Sequence, residues 1–131
     1  MGKNEIINKI KNALLKEEKI IFAYIYGSIL EGEIFNDIDI AVYLNEKFVE
    51  EIDIIDFEIS LGLKIGKIVN SNIDIKILNS APISFKYQVS CGILLFSHDE
   101  LKRENFLCQT WSEYFDFLPV AKLYLKEVLS G

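Results

Sequence analysis

The chain has 131 residues and a formal net charge of −6 at pH 7. Half of its residues are hydrophobic and 26% are charged, which is the balance of a folded domain and not of a disordered chain. We therefore expect one domain spanning residues 1–131. The acidic excess argues against a broad basic face for a nucleic-acid backbone, and so against direct nucleic-acid binding or processive polymerisation.

We expect neither a membrane-spanning helix nor an export signal. No apolar run approaches the roughly 20 residues of a membrane-spanning helix, and the N-terminal sequence MGKNEIINKI lacks the apolar centre of a signal peptide. The two cysteines, Cys91 and Cys108, lack a metal-binding spacing and have apolar neighbours, so we expect reduced thiols in the core. These features predict a cytoplasmic protein.

Hydrophobic periodicity predicts alternating helices and strands. Residues 4–18 form an amphipathic helix, and strands are predicted at residues 19–26, 37–44, 72–78 and 93–96. Further helices are expected from residue 48 to about 66, between the turn at 79–82 and Gly92, and from a capping sequence at 97–100 onward, with an interruption or bend near Pro119. This order predicts an α/β (α+β) fold, in which a small mixed sheet of about four strands has helices packed largely on one face.

The helix predicted from residue 48 to about 66 has a regular apolar stripe. Ile52, Ile55, Ile59 and Leu63 recur at spacings of three and four residues. This is the apolar stripe of an amphipathic helix, with acidic residues on the solvated surface.

The most informative stretch is YIYGSILEGEIFNDIDIAVYL, residues 24–44. Two β-rich runs flank a Gly27-Ser28 step, which predicts a strand, a short helix and a second strand. The unpaired N–H groups and the positive dipole end of a helix start bind phosphate well. Gly27 and Ser28 are therefore candidates for binding a nucleotide phosphate.

Two carboxylates open the second strand. Side chains alternate along a strand, so Asp37 and Asp39 share one face while Ile38 and Ile40 point into the core. Mg²⁺ prefers such oxygen ligands together with substrate phosphates and water. A half-buried strand with aspartates on its solvent-exposed face would have the same sequence pattern, and Gly-Ser pairs also occur in turns without a function. Their order and close spacing favour the functional interpretation.

A third carboxylate lies on the strand NIDIKIL, residues 72–78. Its isoleucines point one way, and Asp74 points to the other face. By itself Asp74 reads as an exposed residue of an amphipathic strand. If this strand lies beside residues 37–44, Asp74 comes next to Asp37 and Asp39, and a divalent cation would relieve the repulsion among the three.

These residues resemble the signature of the polymerase-beta-type nucleotidyltransferases, and in particular of the minimal ones, the MNT domains or MntA-like antitoxins. That signature is Gly-Ser, a spacer of about ten residues, Asp-x-Asp and a later acidic residue on a neighbouring strand. Here it reads Gly27-Ser28, eight spacer residues with Gly32 among them, and then Asp37-Ile38-Asp39. The third acidic residue falls at Asp74. The resemblance covers nearly the whole chain and implies the polymerase-beta-like nucleotidyltransferase fold.

The resemblance also implies a reaction. Gly27 and Ser28 would hold the phosphates of ATP, and Asp37, Asp39 and Asp74 would be the catalytic residues and the ligands of two Mg²⁺ ions, with Asp74 helping to activate an acceptor hydroxyl. MntA-like antitoxins transfer AMP to a tyrosine of a partner toxin of the HEPN family. Two other interpretations stay open. One is transfer to a small molecule such as an aminoglycoside, and the other is a binding module that acts by occlusion with a vestigial site.

Overall fold

Four strands form one mixed sheet. The computed structural model describes residues 1–32 and 37–130, without the side chains of residues 117–125 and 128–130. The strands are β1 (Ile20–Tyr26), β2 (Asp37–Leu44), β3 (Asn72–Ile77) and β4 (Ile93–Ser97). Their order in the sheet is β3-β2-β1-β4. Strand β1 is antiparallel to both β2 and β4, and β3 is parallel to β2, so the predicted mixed sheet is confirmed.

Helices connect the strands. A 3-10 helix at Ser28–Leu30 follows β1, and the α-helices are α1 (Lys3–Leu15), α2 (Glu46–Glu51), α3 (Ile54–Val69), α4 (Ile83–Ser90) and α5 (Glu100–Ser130). The first three α-helices pack on one face of the sheet, against a core that includes Ile10, Ile40 and Ile65. Helices α4 and α5 cover β1 on the other face, around Phe22 and Phe106. The polar side chains of β2 and β3 on that second face stay outside this smaller core.

The helix predicted from residue 48 to about 66 is two helices. Ile52 is extended between α2 and α3, with φ −109° and ψ 158°. The Asn45 carboxamide accepts hydrogen bonds from the amides of Lys47 and Phe48 at the start of α2, and Asp53 accepts one from the Asp56 amide at the start of α3. Each short polar side chain satisfies N–H groups that a helix start leaves unpaired. The region therefore forms two helices, each with its own N-cap, where one long helix was predicted.

The apolar stripe predicted for this region faces solvent. Ile55, Ile59 and Leu63 are 68%, 57% and 63% exposed, whereas Leu61 and Ile65 of α3 are buried. Helix α3 is apolar on two faces, and the face that carries its glycines approaches the sheet most closely. A Cβ atom at Gly62 would lie 2.8 Å from the Ile73 carbonyl oxygen, and one at Gly66 would lie 2.8 Å from that of Ser71.

Two smaller expectations were wrong. Helix α5 continues from Glu100 to Ser130, so the expected interruption near Pro119 is wrong, while a bend there stays a prediction. Cys91 and Cys108 are free thiols but are exposed, because Cys91 follows the last turn of α4 and Cys108 lies on the outward side of α5. Across the described part of the chain, no helix combines the length and the apolar character needed to cross a bilayer.

Candidate active site

The sheet brings the three candidate carboxylates onto one face. Strand β2 buries Ile38 and Ile40 against α1 and α3, so Asp37 and Asp39 project to the opposite face. In the parallel pairing of β2 with β3, Asp39 lies opposite Asp74. Adjacent strands are about 4.8 Å apart, so Asp39 and Asp74 are direct neighbours, as expected from the sequence if these strands pair. Asp37 and Asp74 are exposed, and Asp39 is half-buried.

The charges at this face act on one another. Burial raises the pKa of the Asp39 carboxyl, and the carboxylates of Asp74 and Asp37 raise it further. The negative form of Asp39 is therefore disfavoured in the metal-free protein. A divalent cation placed among these groups would reverse that effect.

Tyr26, which was not predicted from the sequence as part of the site, forms a row across the sheet with Asp39 and Asp74. Tyr26 of β1 lies opposite Asp39 on the side away from Asp74, and it is only 7% exposed. Burial, followed by the negative charges of Asp39 and Asp74, raises the pKa of its hydroxyl, so Tyr26 stays neutral. The one feature of the sequence that could have indicated Tyr26 is its position directly before Gly27. Its pairing with Asp39 places both side chains on the same face of the sheet.

Gly27 is shaped by its contact with Asp39. Its φ of 86° lies in a region that residues with a side chain rarely adopt. A Cβ atom at this position would lie 2.5 Å from Asp39 Oδ2. The peptide backbone of the Gly-Ser step thus lies directly against the carboxylate.

The hydrogen bonds of the short helix after Gly27 do not use its first amides. Two hydrogen bonds close this turn, from the Leu30 amide to the Gly27 carbonyl at 3.1 Å and from the Glu31 amide to the Ser28 carbonyl at 3.0 Å. The amides of Ser28 and Ile29 take no part in either bond. Ser28 is exposed and Ile29 is buried, so the hydroxyl of Ser28 can reach a ligand from solvent.

The three carboxylates are of the type that binds a hard cation such as Mg²⁺, but in the described part of the chain they do not form a closed metal site. Among the described residues, no three carboxylate, imidazole or thiol groups converge closely enough to hold a metal ion. Lys76 Nζ lies 3.8 Å from Asp74 Oδ1. Because Mg²⁺ usually takes one or two protein carboxylates and completes its shell with phosphates and water, the pair on β2 with Asp74 beside it suits Mg²⁺ carried by a nucleotide.

The carboxylates open into a groove along β3. The groove has a volume of about 1310 Å³, and its lining combines Asp37, Asp39 and Asp74 with the outward face of α3. Gly27 meets Asp39 from the β1 side. The arrangement can therefore bind a phosphorylated ligand beside Gly27 and leave space along β3 for a second, larger substrate.

Comparisons with known proteins agree with this geometry. The family model described as "Polymerase beta, Nucleotidyltransferase" matches residues 8–101, a stretch that contains the Gly-Ser step and all three carboxylates. No curated protein matches the chain.

Solved structures match over almost the full length. A chain from the complex of tri-AMPylated Shewanella oneidensis HEPN toxin with MNT antitoxin is 26% identical with a TM-score of 0.74, covering 97% of this chain and 98% of that one. A chain of the toxin–antitoxin MntA-HepT is 25% identical with a TM-score of 0.72, covering 96% and 98%. A chain of a toxin–antitoxin with AMP-PNP is 27% identical with a TM-score of 0.75, covering 94% and 98%.

Proposed function

We propose, because the chain belongs to the polymerase beta nucleotidyltransferase family, that it transfers AMP from ATP to a hydroxyl group of a partner protein. The observation that carries this proposal is the placement of Asp37, Asp39 and Asp74 on one face of the sheet, with the Gly27 backbone against Asp39. The partner we propose is a HEPN-family toxin, which makes this chain its antitoxin. Support comes from a similar chain in a complex of AMPylated HEPN toxin with MNT antitoxin, at 26% identity.

The nucleotide is proposed to bind at the Gly-Ser step. The amides of Ser28 and Ile29, which are not used in the two hydrogen bonds of this turn, and the Ser28 hydroxyl would hold the outer phosphates, while Asp37 and Asp39 would hold two Mg²⁺ ions with help from Asp74. When bound, the ions would neutralise charge on the triphosphate and on the departing pyrophosphate. A similar chain solved with AMP-PNP, an ATP analogue, supports ATP as the substrate.

The chain's own groups then align the acceptor. The acceptor oxygen forms a bond to the α-phosphorus, the bond from that phosphorus to the oxygen bridging to the β-phosphorus breaks, and pyrophosphate leaves. The proton of the acceptor hydroxyl passes to a carboxylate. We assign this role to Asp74, because its side chain is 54% exposed on the outermost strand, where a second substrate can approach. Fixed alignment accounts for much of the rate enhancement in such a transfer.

The test is the intact mass of the partner. The protein is incubated with the product of an adjacent HEPN-type reading frame, ATP and Mg²⁺. We expect the partner to gain whole AMP units on a tyrosine. Asp39→Asn should abolish the gain while the complex still forms, because the change removes a proposed metal ligand and little contact area. Asp116→Asn, which alters an exposed carboxylate on α5, is the matched control and should behave like wild type.

Two results would contradict the proposal. If wild type forms the complex and leaves the partner's mass unchanged, the protein acts by occlusion. If Asp39→Asn transfers AMP at the wild-type rate, the reaction takes place elsewhere in the chain.

A further inference from the structure

Helix α3 carries an exposed aliphatic surface. Ile55, Ile59 and Leu63, which we call the α3 stripe, are spaced four residues apart and so lie on one side of the helix. Each is more than half exposed. Single exposed aliphatic residues are normal on a protein surface, but a contiguous row of three large ones is typical of an interaction site.

The stripe cannot turn inward, because the opposite side of α3 is fixed. Ile65 and Val69 are buried against the sheet, and Gly62 lies against the backbone of β3. The Glu58 carboxylate also accepts a hydrogen bond of 2.9 Å from the Ile77 amide. Helix α3 is thereby held against β3, and none of the residues that the structure describes buries the stripe.

The stripe and the carboxylates line the same groove. Ile55, Ile59 and Leu63 form part of the lining that also contains Asp37, Asp39 and Asp74. A protein that lies in this groove can present a hydroxyl to these carboxylates. Its surface next to that hydroxyl then lies on the stripe.

Charge distinguishes the possible occupants. The groove lining contains four carboxylates, those of Asp37, Asp39, Asp74 and Glu58, and two lysines, Lys67 and Lys76. A second copy of this chain, which has a net charge of −6, would place like charges against each other. A partner with an apolar centre and a basic rim complements the groove.

We propose that the α3 stripe is the docking surface for the acceptor protein, which meets it with an apolar patch surrounded by basic residues. This inference rests on the proposed function, because it takes the acceptor to be a protein. It assigns the stripe to holding the acceptor and leaves ATP binding to the Gly-Ser step and the carboxylates. Loss of the stripe should therefore weaken the complex without affecting the nucleotide site.

The test uses the full chain with the partner described above. The double variant Ile59→Glu/Leu63→Glu should raise the Kd of the complex roughly tenfold or more, as for other residues at the centre of an interface. The KM for the acceptor should rise with it, while calorimetric binding of Mg²⁺ and ATP stays at the wild-type value. Ile68→Glu is the matched control, since Ile68 is 45% exposed on the same helix and lies outside the groove lining; it should bind like wild type. Ile59→Leu/Leu63→Met should retain the complex.

Three results would overturn the inference. They are wild-type partner affinity in the double variant, an equal loss of affinity in Ile68→Glu, and self-association of wild type that the double variant abolishes. Circular dichroism and melting curves show whether each variant is folded. The docking inference stands separately from the transfer reaction: if wild type transfers no AMP but the double variant still loses the complex, only the proposed function fails.

Discussion

Gly27 has two independent reasons to be glycine. Its φ of 86° and ψ of −151° lie in a region that is essentially restricted to glycine and costs other residues about 1–3 kcal/mol, and an added Cβ would contact Asp39 Oδ2 at 2.5 Å. We expect Gly27→Ala to lower the free energy of unfolding by at least about 1 kcal/mol and to abolish Mg²⁺–ATP binding, because the carboxylate has to move. Urea denaturation and calorimetry measure the two effects.

Gly32→Ala is the control for that variant. A Cβ atom at Gly32 would have no atom of the described residues within 4 Å, so this change should leave both quantities close to wild type. Normal ATP binding by Gly27→Ala would mean that the Gly-Ser step does not have to lie against Asp39.

Asp39 should make the metal-free protein sensitive to pH. Its pKa is raised by burial and by Asp74 and Asp37, so the folded state holds the proton more tightly than the unfolded chain, in which the pKa is about 3.9. Stability therefore falls as the pH rises through the interval from the unfolded to the native pKa. Above that interval the full penalty of the ionised group is present.

Asp39→Asn should remove this penalty. In the presence of a chelator at neutral pH, the variant should melt at a higher temperature than wild type and show a weaker loss of stability with rising pH. Mg²⁺ should then stabilise wild type more than the variant. Melting curves between pH 4 and 8, which bracket the ordinary pKa of a carboxyl group, test this. A lower melting temperature for the variant at neutral pH would mean that Asp39 stabilises the fold.

Side-chain alternation was enough to predict the shared face of the carboxylates. Once β3 pairs with β2, the period of two places Asp37, Asp39 and Asp74 together. Tyr26 was missed because its place in the row depends on the antiparallel register of β1 with β2. The contact of Lys76 with Asp74 depends on a side-chain conformation that no sequence pattern specifies.

Among the helices and strands, the packing of α3 against β3 depends on a glycine at the point of contact. Alanine usually stabilises an exposed helix by about 1 kcal/mol relative to glycine. At Gly62, however, the Cβ atom would lie 2.8 Å from the Ile73 carbonyl oxygen. We expect Gly62→Ala to reduce the free energy of unfolding by about 1–3 kcal/mol, the usual cost of overpacking.

Ser60→Ala, at an exposed position of the same helix, is the control and should be neutral or slightly stabilising. Urea denaturation of both variants measures the difference. If Gly62→Ala is as stable as Ser60→Ala, helix α3 does not depend on this close approach.

The sequence also could not predict which face of α3 packs against the sheet. Ile55, Ile59 and Leu63 repeat with the period of a helix, and so do Leu61, Ile65 and Val69, so periodicity alone gives two equivalent faces. The glycines of α3 decide which face meets the sheet. The break between α2 and α3 would have been easier to predict from the sequence, because Asn45 and Asp53 are typical N-cap residues.

At the scale of the whole molecule, the fold offers two separate approaches to the carboxylates. The Gly-Ser step meets Asp39 from the β1 side, and the groove with the α3 stripe extends from Asp74 along β3. A transferase that joins a nucleotide to a macromolecule needs both. The four strands and the mixed sheet were predicted from the sequence, but the order of the strands and the open groove, which depends on how α3 packs, could not be.

We propose that these carboxylates direct attack on the α-phosphorus of ATP. The most direct measurement supplies the partner, Mg²⁺ and wild-type protein with ATP labelled at either the α- or the γ-phosphorus in parallel reactions. We predict that the α label becomes covalently bound to the partner, that the γ label appears in pyrophosphate, and that Asp39→Asn gives neither product. Transfer of the γ label to the partner, or no labelling from either ATP while the complex stays intact, would contradict the account.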